Sequence, residues 1–155
     1  LENEPELFYP GDVDHVHSPE RMGKMSNFIS INGGVQLDLM GQENAESAGS
    51  RQLSGIGGQM DFLEGAFRSR GGRGYICINS SRRDKEGNLK SNIVPTIPGG
   101  STISVPSTMV ECVATEYGVA HLHGLSLGER AAAMAAIAHP DFREELLQYA
   151  KDNFH

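Results

Sequence analysis

Hydrophobic and polar residues alternate in several short stretches of this chain, a pattern typical of half-buried β-strands. Two of these stretches, residues 27–32 and 35–40, are separated only by Gly33 and Gly34, which predicts a β-hairpin with a two-residue turn. A polar loop is expected to follow over residues 41–54. Further strands are predicted at residues 74–79, 93–95, 102–105 and 109–115.

Helical patterns interrupt these strands and dominate the C-terminal end of the chain. Ser126 and Glu129 form a capping-box pattern in front of an alanine-rich run that reaches Ala138. Pro140 ends that run, and Asp141 is the predicted N-cap of a last helix. Because strands and helices are interleaved, we expect an α/β domain rather than a β-sandwich or a helical bundle.

Length and composition are those of one soluble globular domain with a core of its own. Residues 1–24 are rich in Pro, Asp, Glu and His, which predicts an extended arm or linker, and residues 25–155 form the predicted domain. No apolar run approaches the length of a membrane span, so no membrane partner is expected. The chain begins with Leu1 rather than Met, and we expect it to be a piece of a longer protein.

The net charge and the two cysteines restrict the possible partners and the cellular compartment. The net charge of −7 argues against nucleic acid as a partner. Cys77 and Cys112 lie in apolar, strand-like runs, so we expect buried, reduced thiols and a cytoplasmic protein.

Positive charge is concentrated in one part of this acidic chain. We call the eight Lys and Arg residues between positions 51 and 90 the basic island, and only four acidic residues oppose them there. It includes the stretch 80–92, which predicts a hairpin with its turn at Gly87. The island suits a phosphorylated ligand, although a solvated surface loop would have the same composition.

A glycine-rich loop is the first candidate for a ligand site. Residues 54–58 contain three glycines and one serine, and a helix is predicted directly behind them over residues 60–67. Glycine lets a backbone approach a ligand closely, and a helix N-terminus presents unpaired N–H groups that favour a phosphate. A plain strand-to-helix turn explains the same pattern.

Other polar residues support weaker hypotheses. His121 and His123, like His15 and His17, are spaced as two ligands on one side of a strand, but no further ligand completes either set and no metal is expected. Glu116 is either a catalytic carboxylate or, preferably, a buried glutamate that accepts backbone and arginine hydrogen bonds.

Several blocks of residues together resemble the acetyl-CoA hydrolase/transferase family, in particular its 4-hydroxybutyrate and butyryl-CoA:acetate CoA-transferases. They occur in family order and cover about residues 27–150. The blocks are GQENAES at 41–47, SGIGGQMDF at 54–62, SNIVP at 91–95, TEYGVA at 115–120 and AHPDFR at 138–143.

This resemblance implies the C-terminal half of a three-layer α/β domain of the CoA-transferase type. It implies that CoA moves between a short-chain acyl-CoA, of the 4-hydroxybutyryl or butyryl type, and acetate through a glutamyl-CoA thioester. The nucleophilic glutamate lies upstream of this chain, so no catalytic residue is assigned here and the chain alone is expected to be inactive. Coenzyme A, as the acyl-CoA substrate, is the one cofactor, and the implied partners are a small carboxylate, the missing N-terminal half and further copies in a homo-oligomer.

The resemblance also implies individual site residues. CoA is expected at Gly57, Gly58, Gln59 and Met60, whose backbone N–H groups also shape an oxyanion environment. Because only glycine fits there, Gly58→Val is expected to weaken CoA binding with little loss of folding.

Two more binding residues follow from the same resemblance, each less directly. Asn44 matches a polar residue near the reacting carboxylates, and Gly87 roughly matches a glycine that contacts CoA. The chain departs from the family where an arginine is usual, at Asn92, Ser107 and His123.

Two other functions stay open beside the CoA-transferase. One is an acyl-CoA hydrolase, in which water replaces the acceptor carboxylate. The other is a non-catalytic nucleotide-binding or assembly module that uses the same glycine loop.

Overall fold

The computed structural model describes residues 3–154 of the chain. Leu1, Glu2 and His155, where the predicted arm begins and the predicted domain ends, lie outside this range. The helices are α1 (Val13–Val16), α2 (Pro19–Gly23), α3 (Gln59–Arg68), α4 (Leu127–Ala136) and α5 (Pro140–Asn153). The strands are β1 (Ile29–Gly33), β2 (Gln36–Asp38), β3 (Glu43–Asn44), β4 (Ser47–Ala48), β5 (Arg51–Gln52), β6 (Arg73–Cys77), β7 (Ser81–Arg83), β8 (Leu89–Ser91), β9 (Ile93–Val94), β10 (Cys112–Thr115) and β11 (Gly118–His121).

A four-stranded sheet in the order β1-β6-β10-β11 forms the centre of the molecule. Strands β1, β6 and β10 are parallel, and β11 returns antiparallel to β10. Beside it lie a three-stranded sheet in the order β3-β2-β9 and two hairpins, β4-β5 and β7-β8. The predicted α/β class is confirmed, and so is the hairpin over residues 80–92, whose turn places Gly87 at positive φ.

Only one face of the central sheet is covered by the described residues. Ile76 and Val113 point from neighbouring strands into the core, where a side chain at Gly74 would collide with Leu63 of α3. On the opposite face Ile31 remains 70% exposed. Exposure of this kind marks a surface that another element covers. We call this surface the open face; its apolar members are Ile29, Ile31, Cys77 and Val119.

The predicted hairpin over residues 27–40 is wrong. Strand β1 pairs with β6 in the central sheet, whereas β2 pairs with β3 and β9 in the second sheet. Gly33 and Gly34 carry the chain from one sheet to the other. At Gly34 a side chain would collide with the carboxyl oxygen Oε1 of Glu43, so glycine is required there for space rather than for a tight turn.

Other local predictions also need correction. The polar loop 41–54 contains the short strands β3, β4 and β5, and residues 102–105 contribute only one isolated bridge, between Val105 and Glu43. The capping box of Ser126 and Glu129 at α4 is confirmed.

Helix α5 begins two residues earlier than expected. Pro140 is its first residue, a position that suits proline because its missing N–H needs no partner. The N-cap is therefore His139, whose Nδ1 accepts a hydrogen bond from the backbone of Asp141 at 3.3 Å.

The predicted arm contains helical turns instead of extended chain alone. Helices α1 and α2 are capped by Asp12 and Ser18, and Met22 of α2 is buried against Gly65 of α3. The division of the chain at residue 24 stays a prediction.

The two cysteines differ in environment, and the expectation of two buried thiols is wrong for one of them. Both are free, but Cys77 is exposed and Cys112 is buried. Alternation along β6 places Cys77 on the open face. Burial, followed by the charge of Glu111, raises the pKa of the Cys112 thiol to about 11, which keeps it protonated.

Between residues 3 and 154, the helices are all too short or too polar to cross a membrane.

Arg130 of α4 connects three separate segments of the fold. Its guanidinium donates to the backbone carbonyls of Met40 at 2.9 Å, Leu122 at 3.0 Å and Ser107 at 2.7 Å. Gly41 makes room for this group, since a side chain there would collide with the guanidinium, and its φ of +85° also favours glycine. Burial lowers the pKa of Arg130, and nearby Asp38 partly offsets that effect.

We expect Arg130→Lys to destabilise the protein by about 2 kcal/mol, because one ammonium group cannot reach three carbonyls that diverge in direction. Urea unfolding of the variant measures this loss. Arg68→Lys is the matched control: Arg68 also lies on a helix, but its ion pair with Glu64 is exposed, so its effect should stay within about 0.5 kcal/mol. Equal losses in the two variants would contradict the assignment.

Candidate functional site

The carboxyl ends of β1, β6 and β10 meet at one edge of the central sheet. Helix α3 starts at this edge, because its other end lies beside the start of β1, where the amide of Phe28 donates to Ser69 Oγ at 3.0 Å. In open α/β sheets this is the edge where ligands bind. The glycine loop, residues 54–58, immediately precedes α3 and therefore lies at this edge.

A cleft of about 380 Å³ separates the glycine loop from the end of β1. Asn32 and Gly33 line one side, Gly58 and Gln59 the other, and His17 of the arm closes one end. Gly58 is the N-cap of α3, and no side chain caps that helix. The N–H of Gln59 donates to the Ile56 carbonyl at 3.5 Å, whereas those of Met60 and Asp61 have no acceptor among the described residues and are available to an anion.

A buried carboxyl group is hydrogen-bonded to one of the residues that line this cleft. Glu43 of β3 is 0% exposed, and its Oε2 accepts a hydrogen bond from Gln59 Nε2 at 2.7 Å. Its Oε1 has no donor among the described residues. Burial raises the pKa of Glu43 to about 7, although the hydrogen bond from Gln59 acts in the opposite direction.

Sequence reasoning missed Glu43 as a site residue. The one feature of the sequence that could have indicated it is a glutamate directly before Asn44, in a stretch predicted to be a polar loop. Recognising it would have required the knowledge that residue 43 forms a strand and faces Gly34.

His17 is the second residue that sequence reasoning did not place at the site. Its imidazole stacks edge-on against Phe62, with ring centroids 5.0 Å apart, and its Nδ1 is buried without a partner among the described residues. A side chain at Gly58 would collide with this ring. Gly58→Val would therefore displace His17, and the expectation that it leaves folding nearly unchanged is wrong.

Gly57 offers more space than Gly58. Its φ is +59°, and nothing lies within 4 Å of the position that a side chain would take. Gly55 is similarly open. Both positions therefore have room for a ligand beside the backbone, next to the lining residues Ile56 and Gly58 of the cleft.

The remaining predicted contacts lie in different surroundings. Met60 packs against the hydrophobic core. Asn44 is buried, and its amide group is hydrogen-bonded within its own turn, where it accepts from the backbone of Glu46 and Ser47 and donates to the Ser47 carbonyl at 2.7 Å. Gly87 lies at the turn of the β7-β8 hairpin and accepts from Arg83 at 2.7 Å. The binding roles of all three stay predictions.

The basic island does not form one surface. Its members Arg68, Arg70 and Arg73 lie around the end of α3 and the start of β6. Ten helical residues, roughly 15 Å, separate them from the glycine loop, so they do not belong to the same edge. The hairpin members Arg82 and Lys90 line a different cleft, of about 430 Å³, together with acidic residues of the hairpin and α5.

The three positions that depart from the family pattern have local partners. Asn92 accepts a hydrogen bond from Arg82, and its amide donates to the Asn79 carbonyl at 2.9 Å. The carbonyl of Ser107 accepts from Arg130, and His123 packs against Phe67.

Glu116 follows β10 at the same edge of the sheet. Its carboxylate accepts from the backbone N–H of Ser80 at 2.9 Å and from its hydroxyl at 2.6 Å. Burial raises the pKa of Glu116, but these hydrogen bonds outweigh it, and the pKa lies below its ordinary value. The expectation of a buried glutamate with an arginine donor is wrong: Glu116 is exposed, and its donors come from Ser80. Within the described part of the chain, no three His, Cys, Asp or Glu side chains are grouped as a metal site.

Comparison with known proteins finds close relatives. The family model for the acetyl-CoA hydrolase/transferase C-terminal domain matches residues 1–150. The chain is 42% identical over 151 residues to the butyryl-CoA:acetate CoA-transferase of Anaerostipes caccae, covering 97% of this chain and 34% of that protein. It is 46% identical over 142 residues to the 4-hydroxybutyrate coenzyme A transferase of Clostridium kluyveri, covering 92% and 32%. The chain thus spans about a third of the length of these relatives.

Other similarities extend the comparison. The crystal structure of RipA from Yersinia pestis superposes with a TM-score of 0.79 at 41% identity, covering 90% of this chain and 31% of that chain. An acetyl-CoA hydrolase of Yarrowia lipolytica is 31% identical over 137 residues, covering 87% of this chain and 25% of that protein.

The buried carboxyl group predicts how stability depends on pH. Below about pH 4.5 Glu43 is protonated in folded and unfolded chains alike, so it has no effect. As the pH rises towards 7 the unfolded chain loses this proton first, so the folded state loses stability, in total on the order of 3 kcal/mol. Urea unfolding of the wild type and Glu43→Gln across this range measures the effect. The Gln variant should become the more stable of the two by this amount, whereas a difference independent of pH would contradict the prediction.

Proposed function

This chain belongs to the acetyl-CoA hydrolase/transferase family, and from that premise we propose that it is the C-terminal domain of a CoA-transferase. The whole protein transfers CoA between a short-chain acyl-CoA, of the butyryl or 4-hydroxybutyryl type, and acetate. The reaction proceeds through a glutamyl-CoA thioester on a glutamate upstream of this chain. We place it in the cytoplasm, in keeping with the two free thiols.

The observation that carries the proposal is the glycine loop at the carboxyl edge of the parallel strands. Its position is where an α/β sheet binds ligands, and the first turn of α3 behind it has no side-chain cap. We assign the CoA contacts to Gly57, Gly58 and Gln59. The backbone N–H groups of Gly57 and Gly58 are suited to a phosphate oxygen or to the oxyanion of a thioester under attack, whereas that of Gln59 donates to the Ile56 carbonyl.

The other predicted contacts receive smaller roles. Met60 supports the loop from the core side. Asn44 acts by holding its turn, next to Glu43, since its amide group is buried and already bonded to the backbone of that turn. Gly87 contributes only where CoA extends to the β7-β8 hairpin.

The open face gives the upstream part of the protein a place to pack. Ile29 and Ile31 are 48% and 70% exposed, and such side chains on a sheet face gain from being covered. We propose that upstream residues cover this face and bring the nucleophilic glutamate to the carboxyl edge. Assembly into a homo-oligomer is part of the same proposal.

Hydrolysis of acyl-CoA is the second candidate, because an acetyl-CoA hydrolase is among the relatives. In a hydrolase, water replaces acetate as the acceptor. The two reactions are distinguished in the full-length protein by measuring CoA transfer from butyryl-CoA with and without acetate. Acetyl-CoA that forms only when acetate is present supports the transferase, and free CoA released at the same rate in both cases supports the hydrolase.

We expect Gly57→Asn in the full-length protein to raise the KM for butyryl-CoA about tenfold, because the new side chain enters the space assigned to CoA. Asparagine tolerates positive φ, so folding should be largely preserved. Gly49→Asn is the matched control, since Gly49 has a φ of +60° and equally open space but lies in the β4-β5 turn. An unchanged KM in Gly57→Asn, or an equal rise in the control, would remove CoA from the glycine loop.

The 155-residue chain alone is expected to show no CoA transfer. The nucleophile that the mechanism needs is assigned to the upstream two-thirds of the relatives' length, which this chain does not cover. Activity assays of the purified chain beside the full-length protein measure this. Transfer by the chain alone that is lost in Glu116→Gln would place the reacting carboxylate at Glu116 instead.

A further inference from the structure

Glu43 is held firmly in place by its backbone. Its N–H donates to the carbonyl of Val105 at 3.0 Å, and its own carbonyl accepts from Ser104 at 2.7 Å and from Val105 at 3.2 Å. On its other side β3 pairs with β2, where Leu37 is opposite Glu43. The carboxyl group therefore cannot leave the interior by a simple movement of the chain.

The carboxyl group itself has an incomplete set of partners. Gln59 is its one donor among the described residues, at 2.7 Å. The second oxygen, Oε1, lies against Gly34, where a side chain would collide with it. A buried carboxylate oxygen without a donor carries the full cost of its lost hydration.

Within residues 3–154, no cationic side chain is bonded to this carboxyl group. The elements packed against it carry Asp38 on β2, Cys77 at the end of β6 and, along α3, Asp61, Glu64 and Arg68. The hydrogen bonds and ion pairs of these groups, where they have them, go elsewhere: Asp38 accepts from Gln42, and Arg68 pairs with Glu64. His17 approaches the neighbouring Gly58 and is not bonded to Glu43. Ionisation of Glu43 therefore places a charge in the interior with a single amide to stabilise it.

Gln59 connects this carboxyl group to the glycine loop. It is the first residue of α3, directly after Gly58, and it lines the cleft. Since Gly58 provides no side-chain cap, the hydrogen bond to Glu43 anchors the side chain at the start of the helix.

We infer that Glu43 is a positioning residue for acyl-CoA: it holds Gln59 and the glycine loop in place, and its ionisation weakens the binding of the anionic ligand there. This inference rests on the proposed function, because it concerns the same loop and the same ligand. It adds a proton-dependent control of CoA affinity to that site.

Two physical effects give the direction. Ionised Glu43 lies behind a loop that binds an anionic ligand, and like charges repel strongly where water is excluded. The hydrogen bond from Gln59 strengthens when Glu43 ionises, so it keeps this charge directly behind the loop. Since burial raises the pKa of Glu43 to about 7, both effects develop in the neutral range.

The first test follows the loop itself in the full-length protein labelled with ¹⁵N-glycine. The backbone amide resonances of Gly57 and Gly58 should shift with a midpoint near pH 7 in the wild type and show no such midpoint in Glu43→Gln. The titration is repeated in His17→Asn, because His17 lies against Gly58. A midpoint that persists in His17→Asn supports Glu43 as its origin. A wild type without a midpoint, or a midpoint lost only in His17→Asn, overturns the inference.

The second test measures butyryl-CoA kinetics of the same protein at about pH 6 and about pH 8. We expect the KM of the wild type to rise at least about threefold with pH while kcat changes little, and the KM of Glu43→Gln to stay low at both values. Glu111→Gln is the matched control. It removes a largely buried carboxylate at the opposite end of the sheet, where Glu111 pairs with Arg73 at 3.0 Å, and it should lower stability but keep the wild-type pH dependence of KM.

The outcomes separate the inference from the proposed function. If the wild type transfers no CoA, the proposed function is contradicted. The inference about acyl-CoA binding then fails as well, even if the glycine resonances titrate. Transfer with the same pH dependence of KM in the wild type and Glu43→Gln overturns the inference alone. Should Glu43→Gln fold poorly, the wild-type glycine titration still decides, because the midpoint must be present.

Discussion

The parallel pairing of β1 with β6 is the constraint on which the site depends. Parallel neighbours cannot be joined by a tight turn, so the chain must return across the sheet, and it does so through α3. That return places the start of α3, and the glycine loop before it, at the carboxyl ends of the strands. Strands β2 and β3 of the second sheet lie between β1 and α3 in the chain, and β3 brings Glu43 within hydrogen-bonding distance of Gln59 at the start of α3.

The sequence predicted those parts of the fold that depend on neighbours along the chain. The capping box of α4, the hairpin that turns at Gly87 and the helix after the glycine loop all arise from local hydrogen bonding and local sterics. The hairpin over residues 27–40 failed because two glycines favour a tight turn locally, whereas here Gly34 provides space for a side chain nine residues further on. The pairing of distant strands decided that case.

The residues of the candidate site also differ in whether the sequence could reveal them. The glycine loop was identifiable because its three glycines lie within four residues and precede a helix. Glu43 and His17 were not, because each reaches the loop from a distant segment and neither forms a recognisable motif with it. The exposure of Cys77 was missed for a related reason: an apolar run indicates burial, but it does not show that one face of the sheet lacks a cover among the described residues.

The contact of Arg130 with three distant carbonyls has a kinetic consequence. The segments that carry Met40, Ser107 and Leu122 must all be in place before the guanidinium can reach them together. We therefore expect its hydrogen bonds to form late during folding and to break early during unfolding. A residue of this kind governs how fast the native state opens rather than how fast it forms, so Arg130 contributes mainly to the lifetime of the folded molecule.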